Sequence, residues 1–283
     1  MSVWWLAGHG LRFIAVFSLL DDFFLLVLAV ALILSISEIF PGFLMKQPLS
    51  EQLILVDEFD REMGQLGRDE VHRYPVKLHR AASVWLVNDQ GEVLLQQRSQ
   101  HKITAAGWWA NAVCGNVNVG ESYEECAWRR LQAEIGLEQA GESDQVDGSN
   151  RLDEPKQLEL KLVKLEPLFK FHYQAYLNEE FGENEIDQVF GAVYRGKLQL
   201  NPAEVAAVKW VDWRELKKVA EHKLAVGEIV TAGESLELSQ DELVTKASGV
   251  LAEISGQSMM IAPWTLMMLQ DQRLIDFLSR ATA

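Results

Sequence analysis

Cysteine and positive charge are both scarce in this chain. Two cysteines, Cys114 and Cys126, stand among 283 residues. They exclude a disulfide framework and point to a reducing, cytosolic setting. Lysine and arginine number 26 against 41 aspartates and glutamates, a net charge of -15. With no basic stripe to offset phosphate charge, a general nucleic-acid binder is excluded. An acidic protein that takes an anionic substrate must do so through a local basic pocket or a metal ion. No internal repeat is visible.

Long uninterrupted apolar runs are also missing. Phe13 to Leu20 and Phe23 to Leu34 are apolar, but Asp21 and Asp22 part them. The longer run falls short of the roughly 18–20 residues that cross a bilayer. Joining the two would bury adjacent carboxylates in mid-membrane, which is costly. A signal peptide fits poorly, with Arg12 as the one early basic residue and no small-residue cleavage site. Residues 1–45 therefore read as an apolar N-terminal extension: a membrane anchor, an interfacial or partner-binding hairpin, or a segment outside the working protein. Membrane association, if any, would run through residues 13–37. Residues 46–283 read as one domain.

The rest of the chain alternates strands with helices, which indicates α/β with a mixed sheet flanked by helices. Expected strands are 53–56, 81–87 (half-buried), 93–97, 158–165, 169–176, 186–194 and 208–212. Arg68 to Tyr74 reads as a short helix or arm, 89–92 and 181–185 as turns, and 99–110 as a loop. Helices are expected after Gly120 up to Gly136, over 213–222 and over 241–254, with Pro263 at the N1 position of the last. The polar stretch 139–157 reads as a flexible insertion.

Chemistry concentrates at 111–137. Cys114 and Gly115 precede a turn at Gly120, and the following helix carries Glu121, Glu124, Glu125, Arg129, Arg130 and Glu134. Carboxylates at a glycine-rich strand-to-helix turn suit a hard cation with bound phosphates, and arginines can hold phosphate directly. A solvated amphipathic helix is the plain alternative. Elsewhere, His72, His79, Glu183 and Glu185 offer two imidazoles and two carboxylates, a set suited to Zn²⁺, Mn²⁺ or Mg²⁺; a solvated acidic turn is the alternative for the two glutamates. Cys114 is a candidate acid, base or nucleophile. Trp109 and Trp264 are core residues or π faces for a cation. Arg98, Lys102 and Arg130 are candidates for the basic pocket.

Taken together and in this order, these pieces resemble the type I isopentenyl-diphosphate Δ-isomerases, a branch of the Nudix fold. The matching pieces are Leu55–Glu58, the two histidines, Trp109 through Gly115, Gly120-Glu-Ser122, Arg129-Arg130, Glu134 before Ile-Gly136, Phe171-His-Tyr173, Glu183-Asn-Glu185 and Ala262-Pro-Trp264. The Nudix helix pattern is degraded, with Arg130 and Ala133 where acidic residues are usual. That counts against the alternative of a Nudix hydrolase; the other alternative is a non-catalytic, membrane-tethered binding protein. The resemblance implies interconversion of isopentenyl and dimethylallyl diphosphate through a tertiary carbocation. Cys114 would work on one face of the substrate and Glu185, helped by Tyr173, on the other, with Trp264 over the cation. His72, His79, Glu183 and Glu185 would ligate one divalent metal, and Glu134 a Mg²⁺ bridging to the diphosphate. Arg68, Arg98, Lys102 and Arg130, with Trp109, would bind substrate. Two positions depart from the family: Asn116 stands where a third histidine ligand is usual, favouring Mg²⁺ or Mn²⁺ over Zn²⁺, and Arg68 replaces a lysine.

Overall fold

The computed structural model describes residues 51–137, 164–239, 242 and 246–281. The chain divides into residues 1–50 and 51–283. The apolar extension and the 139–157 insertion lie outside the described residues. Among the described residues, no helix is long and apolar enough to cross a membrane.

The centre of the domain is strand β3 (His79–Val87). Parallel to it runs β8 (Gly182–Val193), in register from His79↔Glu185 to Val87↔Val193. On its other side β6 (Val113–Asn116) pairs antiparallel, setting Ser83 opposite Cys114 and Ala81 opposite Asn116. Beyond β8 lies β7 (Glu166–Tyr176), whose Tyr173 is the register partner of Glu185. The strands β4 (Glu92–Arg98), β5 (Trp109–Asn111) and β9 (Val205–Asp212) form a second group, with β4 in the middle. A β1–β2 hairpin (Gln52–Val56, Glu62–Gly67) and a β10–β11 hairpin (Val250–Ile254, Gln257–Ile261) close the sheet at its two ends.

The sequence pattern of β3 explains the layering. Val84 and Leu86 face one apolar layer, and Trp85 and Val87 face the other, because strand side chains alternate. The strand is buried on both faces rather than half-buried, as a strand with a parallel neighbour covered on each side must be. The first layer is roofed by α2 (Tyr123–Ile135), whose Cys126, Ala127, Leu131 and Ile135 point inward. The second is roofed by α3 (Trp213–Ala225), α5 (Pro263–Met268) and α6 (Gln272–Ala281). Two short helices complete the set, α1 (Arg68–His72) and α4 (Ala232–Ser235).

Three expected elements change. Residues 182–185 are strand rather than turn, because the β7–β8 ladder runs on to Tyr176↔Gly182. Residues 250–254 are a strand rather than a helix end; Ser255 and Gly256, both with left-handed φ (48° and 72°), turn the chain into β11. Pro263 does open a helix at N1, but α6 follows it. Residues 158–163 lie outside the described residues.

Candidate functional site

One face of the β7–β8–β3–β6 sheet assembles the site. Tyr173, Glu185, His79, Ser83, Cys114 and Asn116 stand on these four strands in adjacent registers. Helix α1 adds His72, and β8 adds Glu183 two residues before Glu185. The two histidines and two glutamates are buried, and their ligand atoms lie within 4.8 Å of one another.

Both imidazoles are held in one orientation. His72 Nδ1 lies 2.7 Å from Arg68 O and His79 Nδ1 2.8 Å from Lys77 O. A ring that donates from Nδ1 to a carbonyl keeps a lone pair on Nε2, the arrangement of metal-ligating histidines. Each Nε2 faces a carboxylate: His72 to Glu183 Oε2 at 3.1 Å, His79 to Glu185 Oε1 at 3.3 Å. Glu183 Oε2 is buried and accepts no well-directed hydrogen bond. Burial disfavours the charged form of His72, yet the facing Glu183 carboxylate, Arg68 O and Glu185 raise its pKa overall. Burial likewise opposes the Glu185 carboxylate, but His79, His72 and the Tyr173 hydroxyl, which donates to Oε2 at 2.7 Å, lower its pKa. This cluster calls for positive charge at its centre, and its donor set suits a divalent cation.

Asn116 borders the same cluster. Its Nδ2 donates to Glu185 Oε1 at 2.9 Å and lies 3.1 Å from His79 Nε2.

The cavity in front of the cluster is lined by Arg68, His72, Arg98, Lys102, Cys114, Asn116, Arg130, Tyr173, Glu183, Glu185 and Trp264. His79 and Glu134, fully buried, and Trp109 stand outside that lining. Trp109 is a core residue of β5, and its carbonyl accepts from Ala262 N at 2.8 Å, which fixes the entry to α5. Trp264, at the start of α5, stands 6.4 Å from the Tyr173 ring and 5.9 Å beneath the Arg98 guanidinium.

The basic end is a network. Arg130 donates from Nε to Glu134 Oε1 at 3.0 Å and from Nη2 to Glu204 Oε2 at 2.9 Å. Lys102 pairs with Glu204 and lies 3.7 Å from Glu134. Burial, with Arg98 and Arg130 nearby, lowers the Lys102 pKa against the pull of Glu134 and Glu204. Arg98 is anchored to Thr104 O by two donors at 3.2 and 3.0 Å. Glu134 Oε2 accepts from Gln96 at 2.7 Å.

The NUDIX domain family matches residues 77–231. The chain is 33% identical to an isopentenyl-diphosphate Delta-isomerase of Serratia proteamaculans over 168 residues, 59% of this chain and 80% of that protein. It is 34% identical to one of Paenarthrobacter aurescens over 173 residues, 61% of this chain and 82% of that protein. The chain belongs to the Nudix family, in the branch of the isopentenyl-diphosphate Delta-isomerases.

In this Nudix domain the signature helix is α2. Ser122 and Glu125 close its N-terminus as a reciprocal capping box, and Gly136 ends it at φ 71°. Glu121 receives Arg129 at 2.6 and 2.8 Å instead of facing the cavity cluster, and Arg129 also donates to Asn116 O at 2.9 Å.

Four polar residues of the site escape a reading of the sequence. Asp187 is buried on β8, and its place two residues past Glu185 was the available signal. Burial first, then the Glu185 charge, raises its pKa well above the ordinary value. Ser83 Oγ donates to Asp187 Oδ2 at 2.6 Å and lies 3.6 Å from Cys114 Sγ. Asn111 Oδ1 faces the same sulfur at 3.0 Å. Glu204 had no local signal, since it enters from the loop before β9.

Proposed function

We propose that this protein is an isomerase that interconverts isopentenyl and dimethylallyl diphosphate by adding a proton at one carbon and removing one from another. The observation that carries the reading is the composition of a single cavity. It is lined by the Cys114 thiol, by Glu185 with His72 and Glu183 of the buried cluster, by Tyr173 and Trp264, and by the cations Arg68, Arg98, Lys102 and Arg130.

Cys114 and Glu185 would be the two proton-handling groups. Burial, then Asp187, pushes the Cys114 thiol up to about 12 against the opposing pull of Ser83 and Arg98, so it rests protonated. Glu185 rests as the carboxylate. With one partner protonated and the other not, the site can give a proton to the substrate on one side and take one on the other. Tyr173 orients Glu185 through its hydroxyl. Protonating an alkene yields a tertiary carbocation, which the Trp264 ring would stabilise, and exclusion of water by the bound substrate would protect it from capture.

Arg98, Lys102 and Arg130, joined by Arg68, would bind the diphosphate through charge-assisted hydrogen bonds. His72, His79, Glu183 and Glu185 would hold one divalent ion, which when bound would polarise the Glu185 carboxyl group. Asn116 would join them only by turning Oδ1 inward. Glu134 would take Mg²⁺ only by releasing Arg130 or Gln96; as it stands it anchors Arg130. The degraded acidic set, with Arg130 and Ala133 in it, argues against a hydrolase.

The test is proton exchange. Isopentenyl diphosphate incubated with the protein in D₂O should gain deuterium, followed by NMR, with no phosphate released. Cys114→Ala and Glu185→Gln should abolish the exchange. Unchanged turnover in either variant sinks the assigned roles.

A further inference from the structure

We propose that Asn111 is the positioning residue that aims and holds the Cys114 thiol, an inference that rests on Cys114 having the role given above.

Asn111 sits on β5 with no exposure to solvent. The orientation of an asparagine amide is decided by the groups around it, and here they decide it. Nδ2 donates both its protons to main-chain carbonyls, Val84 O at 3.1 Å and Val113 O at 2.9 Å. Turning the amide over would set its oxygen against two carbonyls and lose both of these buried hydrogen bonds, which is expensive. Oδ1 is therefore fixed as an acceptor, 3.0 Å from Cys114 Sγ.

The sulfur has one proton to place and, among the described residues, two polar side chains within hydrogen-bonding reach. Ser83 Oγ is the other, farther off at 3.6 Å and placed to donate to the sulfur rather than to accept from it. Its nearer acceptor is Asp187 Oδ2 at 2.6 Å, whereas Asn111 Oδ1 can only accept. The S–H thus points to Asn111. An amide oxygen can only accept, so this contact holds the Cys114 thiol in one rotamer.

Asn111 also ties the thiol to the aromatic side of the cavity. Its main-chain N–H donates to Thr265 Oγ1 at 3.3 Å, the residue after Trp264. One residue thereby sets the thiol on β6 and the first turn of α5 in a fixed relation. A loss of about 1 Å in such placement can cost on the order of a hundredfold in rate.

Two measurements test this. The first is the S–H stretching band of the wild-type protein, isolated by subtracting the infrared spectrum of Cys114→Ser. We expect a band shifted to lower frequency, as for a hydrogen-bonded thiol; a band at the free-thiol position overturns the proposal. It needs no Asn111 variant and no turnover, so it stands apart from a failure of the isomerase reading. The second uses Asn111→Leu, near in size but with no acceptor. We expect the band to move to the free-thiol position and kcat to fall about a hundredfold, with KM within about twofold of wild type. Retention of wild-type kcat by the folded variant also overturns it. Should the variant not fold, the wild-type band alone decides.

Discussion

Arg130 lies directly on Gly115. A Cβ built on that glycine would fall 2.5 Å from Arg130 Cγ and 2.7 Å from Cδ. The glycine is required by the space the arginine stem occupies. In Gly115→Ala the guanidinium must leave its place between Glu134 and Glu204. A charge-assisted hydrogen bond is worth about 1.5–3 kcal/mol, so KM for the diphosphate substrate should rise roughly ten- to a hundredfold. Steady-state kinetics checks this, with kcat expected to change less than KM.

Tyr173→Phe removes one hydroxyl from a buried contact and leaves the ring beside Trp264. Glu185 then loses the donor to Oε2 and is less firmly oriented. We expect kcat to fall about ten- to a hundredfold with KM little changed, from the same energy range. A fall confined to KM would remove Tyr173 from the proton-transfer side.

Glu204 supplies a pH signature of folding. Burial opposes its charge, but Lys102 and Arg130 lower its pKa from 4.5 to about 2. A carboxylate lowered in the folded state stabilises the fold at pH above its unfolded value and loses that effect as pH falls toward its folded one. Wild type should therefore melt above Glu204→Gln at neutral pH, and the gap should close as pH drops from about 5 toward 2. Thermal melts of both proteins across that range provide the comparison.

Asn116→His should change metal preference. An imidazole is the softer donor and suits zinc better than an amide oxygen does. After dialysis against a chelator, the variant should retain more Zn²⁺ than wild type, measured by elemental analysis. Equal retention would mean that Asn116 does not border the ion.

The fold class was legible because alternation and turn chemistry are local. Asp89 to Glu92 reads as a hairpin turn, and Gly136 as a helix end, from a few neighbouring residues. Within the site, Cys114, Tyr173 and Glu185 were legible through resemblance in their flanking motifs. The errors came from long-range context. Glu183 and Glu185 look like a solvated acidic turn until β7 is seen to extend the ladder over them and bury both. Val250 to Ile254 continues a helical pattern until its partner β11 is known. Trp109 sits in a motif yet packs in the core, since one-dimensional spacing does not say which side of a strand meets the cavity. Asn111 and Ser83 act by accepting from or lying against the thiol, and that relation exists only after β3, β5 and β6 are side by side.

The parallel register of β3 with β8 joins segments about a hundred residues apart, since His79 is paired with Glu185. Closing so long a loop carries a large entropy cost and slows the pairing. The Cys114 half, built from β5, β6 and α2 within a few dozen residues, can organise earlier. A nascent chain or refolding protein would thus bring Asn111 to Cys114 before it forms its cation cluster, while Asp187 reaches the thiol only when β8 pairs. The cluster also makes a sensitive gauge of strand alignment: a one-residue slip would turn Glu183 and Glu185 to the opposite face.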